Sequence, residues 1–222
     1  MDLPNDILNI IFNLLPKTFQ YMLSLTCKKH RLFKMININS FDIAKDGELK
    51  FLKQCKNINT KTWKAAIKNG HIHILEWLDI NFSIKKKNSS FCSYAAKNNQ
   101  LKSLKWLVSS NFHMDLGTCI QTVNNENIEI LEYIYPFFAP RYHVCSIAAV
   151  NGRISVLEFF YKNNYPIHKS CMEWAIMNGC LDIIKFLTTI GFDIDINIYH
   201  LAVENRRENI IQWFKDNGYP HY

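Results

Sequence analysis

Three pairs of cysteine and histidine stand at spacings that metal sites use. They are Cys27-x-x-His30, His143-x-Cys145 and His168-x-x-Cys171. Thiolate and imidazole are preferred ligands of Zn²⁺. However, the internal alignment given below places Cys92, Cys119 and Cys145 in one column, which other copies fill with larger apolar side chains (Trp63, Met172 and Tyr199). A buried cysteine behaves as a small hydrophobic residue, so we predict that this column packs helices and that the chain holds no metal and no cofactor.

Carboxylates that could serve as general acids or bases also recur at fixed intervals. Glu76, Glu132 and Glu158 share a column with Lys105 and Lys185 on the predicted outward face of a helix. General acid–base catalysis needs a partner group within hydrogen-bond reach inside a pocket, whereas a column of alternating sign is typical of a solvated surface. The chain also lacks the GxGxxG, P-loop, HExxH and GxSxG patterns. We therefore predict that it is not an enzyme.

The net charge of +7 is unevenly distributed along the chain. Residues 1–110 carry 18 basic and 7 acidic side chains, and residues 111–222 carry 8 basic and 12 acidic ones. This division excludes a surface that binds nucleic acid along the whole length, although a binder using only the basic half remains an alternative. AT-rich codons are a second explanation, because Ile, Asn and Lys are all abundant.

The composition favours a reduced, water-soluble protein. Of the 222 residues 48% are hydrophobic, enough for one or two cores without disulfides. No apolar run approaches the roughly 18 residues of a membrane helix, and the N-terminus lacks the features of a secretion signal. Seven cysteines without an export signal indicate reduced thiols in the cytoplasm or nucleus. We also expect the chain to be a monomer by itself, without a membrane partner.

A thirteen-residue pattern, first seen at residues 66–78, occurs six times in the chain. Successive copies begin 26 to 29 residues apart, and the fourth position is always Asn. The twelfth position is always aromatic and the thirteenth is always large and apolar. The copies begin at Ala66, Ala95, Thr122, Ala148, Ala175 and Ala202.

Each column of the repeat has a structural interpretation. The small first residue allows two helices to approach closely, and the Asn, followed by Gly in three copies, predicts a left-handed helix end. Apolar residues then recur at helical spacing, as at Ile72, Leu75 and Leu78. Each unit is therefore predicted to be helix, turn, helix and loop. One such pair cannot bury its own apolar stripe, so neighbouring repeats must stack into a solenoid.

The Ala-Ala-Lys-Asn helix end, the Asn-Gly-His turn and the Ile-Leu-x-Trp-Leu second helix resemble ankyrin repeats over residues 61–222. The repeat is about 27 residues long instead of 33, and no copy has the Thr-Pro-Leu-His start. It is similar to the short ankyrin-like repeats of large DNA viruses and some protists. The resemblance implies binding of a target protein by the first helices and the loops that precede them. The candidate target-binding residues are Lys64, Lys68, Tyr94, Lys97, Phe112, His113, Tyr142 and His143.

Residues 39–60 read as a linker that contains a degenerate repeat. Within residues 43–52, Asp46-Gly47 replaces the Asn-Gly turn, and Gln54 stands in place of the aromatic. We interpret this segment as a cap on the first full repeat.

Residues 1–38 do not follow the repeat and form a separate predicted module. The segment LPNDILNIIFNLLPKTFQYMLSLTCKKHRLF resembles the F-box, with its Leu-Pro start, apolar first helix and second Leu-Pro. It departs from that motif at Gln20, Thr26 and His30. The resemblance implies docking to the Skp-type adaptor of a cullin-RING ubiquitin ligase. The matching positions are Leu3, Pro4, Ile7, Leu8, Ile11, Leu15, Pro16, Leu25 and Cys27.

Together these features predict an all-α protein in which an F-box-like module precedes an ankyrin-like helix-turn-helix solenoid. The adjacency of the two resemblances favours a substrate-recognition adaptor of an SCF-type ubiquitin ligase, located in the host cytoplasm if the protein is viral. An ankyrin-repeat interaction scaffold without a ligase role is the alternative, with residues 1–38 as a simple cap.

Overall fold

The computed structural model describes residues 14–15, 40–53, 55, 57–82, 90–137 and 142–219. The chain divides into two compact units, unit 1 from Met1 to His113 and unit 2 from Met114 to Tyr222. All regular secondary structure within the described ranges is helical, without a strand, which confirms the predicted all-α class there. The predicted F-box-like module lies outside the described residues except for Leu14 and Leu15.

Unit 1 contains two full repeats preceded by a shorter pair of helices. Its helices are α1 (Ser40–Asp46), α2 (Leu49–Leu52), α3 (Thr60–Lys68), α4 (Ile72–Asn81), α5 (Ser90–Lys97) and α6 (Leu101–Ser109). The first helices pack side by side in the order α1, α3, α5, and the second helices α4 and α6 pack against each other. Helix α3 begins at a capping box, because Asn59 accepts from the amide of Lys61 and Thr62 accepts from the amide of Asn59.

Unit 2 contains four repeats with the same order of helices. These are α7 (Leu116–Asn124), α8 (Ile128–Ile134), α9 (Tyr142–Val150), α10 (Ile154–Lys162), α11 (Ser170–Asn178), α12 (Leu181–Thr189), α13 (Ile196–Glu204) and α14 (Glu208–Asp216). A 3₁₀ turn, Tyr135–Phe137, follows α8. The first helices α7, α9, α11 and α13 form one row, and α8, α10 and α12 form a second row.

The small and the large apolar columns form the core, as predicted. All six residues of the first column are fully buried, and the thirteenth column is buried in every copy. The aromatic residues of the twelfth column are half-buried, because they lie at the edge of each helix pair. The aromatic of the following loop folds back onto that edge; for example, the rings of Trp77 and Phe82 are 5.4 Å apart.

The turn between the two helices differs from the prediction in one respect. The asparagine does not adopt the left-handed conformation, since Asn69 has φ −101° and Asn205 has φ −86°. Its side-chain amide instead donates to the carbonyl four residues earlier, at 2.8 Å for both of these residues. The left-handed residue is the next one, glycine in three copies and Asn99, Glu126 or Arg206 in the others. The asparagine thus gives a carbonyl at the helix end a second donor, beside the backbone amide of the same asparagine.

Side chains of one repeat also bind the turn of the preceding repeat. In unit 2, Glu126 accepts from Ser155 at 2.7 Å and from Arg153 at 3.5 Å. Arg207 donates to the carbonyl of Met177. In unit 1, a ring nitrogen of His71 lies 2.9 Å from the carbonyl oxygen of Lys45. These bonds add a polar connection between neighbours to the apolar contact of their helices.

The segment before the first full repeat adopts the same local order of helix, turn and helix. Gly47, with φ +81°, forms the turn between α1 and α2, and an added Cβ there would lie 2.9 Å from the ring of His71. The hydroxyl of the buried Ser40 is 2.6 Å from that of Thr62, which joins α1 to α3. Where the structure describes the links between repeats fully, they are six or seven residues long and contain no β-hairpin finger.

None of the helices in the described residues is both long and apolar enough to span a membrane.

Candidate protein-interaction surface

The predicted cysteine column is a packing column. Cys92, Cys119 and Cys145 are buried, as are the larger residues at the same position, Trp63, Met172 and Tyr199. Burial raises the pKa of Cys119 to about 11. A hydrogen bond with the neighbouring Cys171 thiol, together with burial, raises the pKa of Cys145. The described residues contain no cluster of three or more His, Cys, Asp or Glu side chains that could hold a metal ion.

The carboxylates of the second helices point to solvent. Glu76, Glu132 and Glu158 are exposed, and so are Lys105 and Lys185 in the same column. The structure therefore places this column on the outward face that the sequence predicts.

The exposed face of the first helices in unit 1 brings together four of the predicted target-binding residues. Lys64 and Lys68 lie on α3, and Tyr94 and Lys97 lie on α5. The ammonium group of Lys64 is 5.3 Å from the centre of the Tyr94 ring, a cation–π distance. Lys61, which was not among the predicted residues, is exposed one turn before Lys64. The face thus combines a row of lysines with one aromatic ring.

Phe112 must be removed from the predicted surface. Its exposed fraction is only 3%, because its ring packs against Trp63, Phe91 and Trp106 at centroid distances of 5.8 to 6.1 Å. It belongs to the loop aromatics that fold back onto their own helix pair. The adjacent His113 is exposed.

The side chains of Tyr142 and His143, the last two predicted target-binding residues, lie outside the described part of the structure. Both residues belong to helix α9, which begins at Tyr142. Their backbone therefore lies in the first-helix row of unit 2.

The first helices of unit 2 present an apolar surface that the sequence analysis missed. Trp174 and Met177 on α11 are 41% and 38% exposed. Met177 also lines a shallow groove of about 270 Å³ between α11 and α13, together with Glu173 and Leu201. A signal was available in the alignment, because Trp174 and Tyr94 occupy the same column, and so do Met177 and Lys97.

The predicted adaptor-binding residues, from Leu3 to Cys27, fall outside the described residues with one exception. Leu15 is half-buried, and its neighbour Leu14, which is not in the predicted set, is 79% exposed.

Comparison with known proteins supports the ankyrin-type repeat. The chain is 28% identical over 149 aligned residues to an ankyrin repeat protein of Acanthamoeba polyphaga mimivirus. The alignment covers 64% of this chain and 38% of the relative, so the chain spans well under half the length of that protein. No protein-family model matches the chain. The similarity and the repeated helix pairs together support helical repeats of the ankyrin type.

Proposed function

We propose that this chain is a substrate-recognition adaptor of a cullin-RING ubiquitin ligase. In this proposal residues 1–38 dock the Skp-type adaptor and the ankyrin-type repeats bind the protein to be ubiquitinated. The observation that carries the target-binding half is the row of first helices, whose exposed residues differ from repeat to repeat while the buried columns stay constant. The chain performs no catalytic step of its own and acts in the cytoplasm or nucleus.

The ligase half of the proposal is supported by the sequence of residues 3–33. Two Leu-Pro pairs flank an apolar helical stripe that includes Ile7, Leu8 and Ile11. About 35 residues are too few to bury a stable core alone, so the module is expected to gain stability on a partner. The basic run Lys28-Lys29-His30-Arg31 would accelerate association with an acidic adaptor more than it would add affinity.

Co-purification of the full chain with a recombinant Skp-type adaptor tests the ligase role. The intact chain should retain the adaptor, and the double variant Leu8→Asp, Ile11→Asp should lose it because two charges enter the apolar docking face. A matched control is Ile80→Asp, Val203→Asp, which makes the same chemical change at positions that are 83% and 45% exposed in the repeats. That control should bind like the intact chain.

The result also separates the ligase adaptor from a simple interaction scaffold. Failure of the intact chain to bind at micromolar concentration refutes the ligase role and favours the scaffold. In that case, removal of residues 1–38 would lower the melting temperature without the loss of any partner.

A further inference from the structure

We propose that the exposed face of α3 and α5 binds an acidic segment of the target protein. The proposal rests on the protein-interaction role proposed above and specifies the chemistry of the partner. We call this surface the lysine face and define it by Lys61, Lys64, Lys68, Tyr94 and Lys97.

The lysine face has a regular geometry along α3. Lys61, Lys64 and Lys68 are spaced by three and four residues, so they lie on one stripe of the helix. With a rise of about 1.5 Å per residue, the stripe is roughly 10 Å long. Lys61 and Lys68 are exposed, and Lys64 is half-buried beside Tyr94. The face therefore presents three ammonium groups in a line, with an aromatic ring beside the middle one.

The two helices that form the face carry no acidic residue at all. Within the described residues the structure gives Lys61, Lys64 and Lys68 no ion pair. Asp42 and Asp46 lie on α1, the helix that packs against α3, and Glu76 and Asp79 lie on the second helix α4. The positive charge of the stripe is thus left for a partner to neutralise.

Codon bias does not explain this distribution of lysine. The four first helices of unit 2 contain neither Lys nor Arg, although they occupy the same structural position as α3 and α5. The second helices of unit 2 do contain lysine, at Lys162, Lys185 and Lys215. A general excess would place lysine on both kinds of helix. Among the first helices, lysine instead occurs only in those of unit 1, which indicates a local function.

The chemistry of the face favours a protein over a nucleic acid. Its cations are all lysines, and it has no arginine, whose planar guanidinium group donates two hydrogen bonds at once to a phosphate or a base edge. Its single aromatic ring is already covered by the ammonium of Lys64, so it offers no stacking platform for successive bases. A line of point charges suits carboxylates, which recur at matching intervals when Glu or Asp occupies positions i, i+3 and i+7 of a partner helix.

Selection from a phage-displayed library of random 12-residue peptides tests this inference on the full chain. We expect the intact chain to enrich peptides rich in Asp and Glu. The tightest peptide should bind Lys61→Gln, Lys64→Gln, Lys68→Gln about tenfold more weakly in fluorescence anisotropy, since each exposed pair contributes modestly and three act together. The matched control is Lys50→Gln, Lys53→Gln, Lys102→Gln, which removes the same charge from exposed positions outside α3 and α5. This control should change the affinity less than twofold.

Other outcomes overturn the proposal. Equal weakening by the control would show a non-specific charge effect. Enrichment of apolar peptides that Trp174→Ala no longer binds would assign recognition to unit 2, leaving the interaction role intact. Tighter binding of a 12-base-pair DNA duplex than of any selected peptide would identify a nucleic-acid surface. No enrichment by the intact chain would also reject it, whereas the adaptor experiment above tests residues 1–38 independently. Circular dichroism of each variant checks that the helices remain folded.

Discussion

Trp63 is the residue at which the packing of unit 1 can be tested most sharply. Its side chain is fully buried, and its ring stacks on Phe91 with centroids 5.6 Å apart and planes 9° apart. The ring of Phe112, in the loop after α6, lies 5.8 Å from the Trp63 ring. Within the described residues, no group accepts a hydrogen bond from the buried indole nitrogen. Truncation and conservative replacement should therefore have very different effects.

The expected magnitudes follow from these contacts. Trp63→Ala removes the whole ring from a site without exposure, and such changes lower the free energy of unfolding by about 3–5 kcal/mol. Trp63→Phe keeps the stack and loses about 1–2 kcal/mol of buried apolar contact from the smaller ring. It also removes an unsatisfied donor, whose burial costs about 1–3 kcal/mol. These two effects nearly offset, so the two variants should differ by at least about 2 kcal/mol.

Urea unfolding followed by circular dichroism at 222 nm measures the difference. Repeats can unfold in more than one transition, so each transition is fitted separately. Trp77→Phe is the control, because it is the same substitution at a half-buried tryptophan on the edge of a helix pair. It should alter the free energy of unfolding by less than about 1 kcal/mol. The packing argument would be refuted if Trp63→Phe destabilised the protein as much as Trp63→Ala.

Four further predictions concern turns and thiols. Glu126→Gly should lower the melting temperature by about 2–4 °C. The variant loses two hydrogen bonds between repeats, and this loss outweighs the relief of a left-handed backbone at φ +55°. Arg206→Gly, at φ +54°, should instead raise stability by about 0.5 kcal/mol. Asn205→Ala should cost about 0.5 kcal/mol in thermal unfolding, because the carbonyl of Leu201 loses its second donor and keeps only the backbone amide of residue 205. The free energy of unfolding should fall between pH 9 and about pH 11, since the unfolded Cys119 ionises first; this slope should weaken in Cys119→Val.

Each of these predictions can fail in a defined way. An increase in stability for Glu126→Gly as large as that for Arg206→Gly would mean that relief of the left-handed backbone dominates over the inter-repeat bonds. An unchanged melting temperature for Asn205→Ala would remove the capping role of the asparagine column. An alkaline slope that persists unaltered in Cys119→Val would have to come from other groups.

The buried part of the fold is predictable because the same physical requirement recurs six times. Close helix approach needs a small residue, so the column that contains Ala66 is small in every copy. The roles of asparagine and of the loop aromatic were less predictable, since several conformations suit both residue types. Asn is common at left-handed positions. Here, however, its side-chain amide donates to a carbonyl at the helix end, and the next residue adopts the left-handed conformation. Phe112 looks like a surface residue in the alignment, and only the three-dimensional cluster with Trp63 shows its burial.

The surface is harder to predict because exposed positions are not constrained by packing. The ammonium group of Lys64 and the ring of Tyr94 meet on one face, because both residues lie on first helices of adjacent repeats. Their role in target binding stays a prediction. The exposure of Trp174, which is 41% in the structure, was not predicted from the sequence. The F-box resemblance of residues 1–38 stays a prediction.

Recognition of a protein target by the first helices is tested most directly by zero-length cross-linking. A carbodiimide joins carboxylates to lysine amines that touch them, and mass spectrometry then identifies the lysines of the full chain that react with the selected acidic peptide. We expect cross-links at Lys61, Lys64, Lys68 and Lys97. Cross-links spread over lysines of the second helices, such as Lys102, Lys162 and Lys215, would contradict recognition by this face.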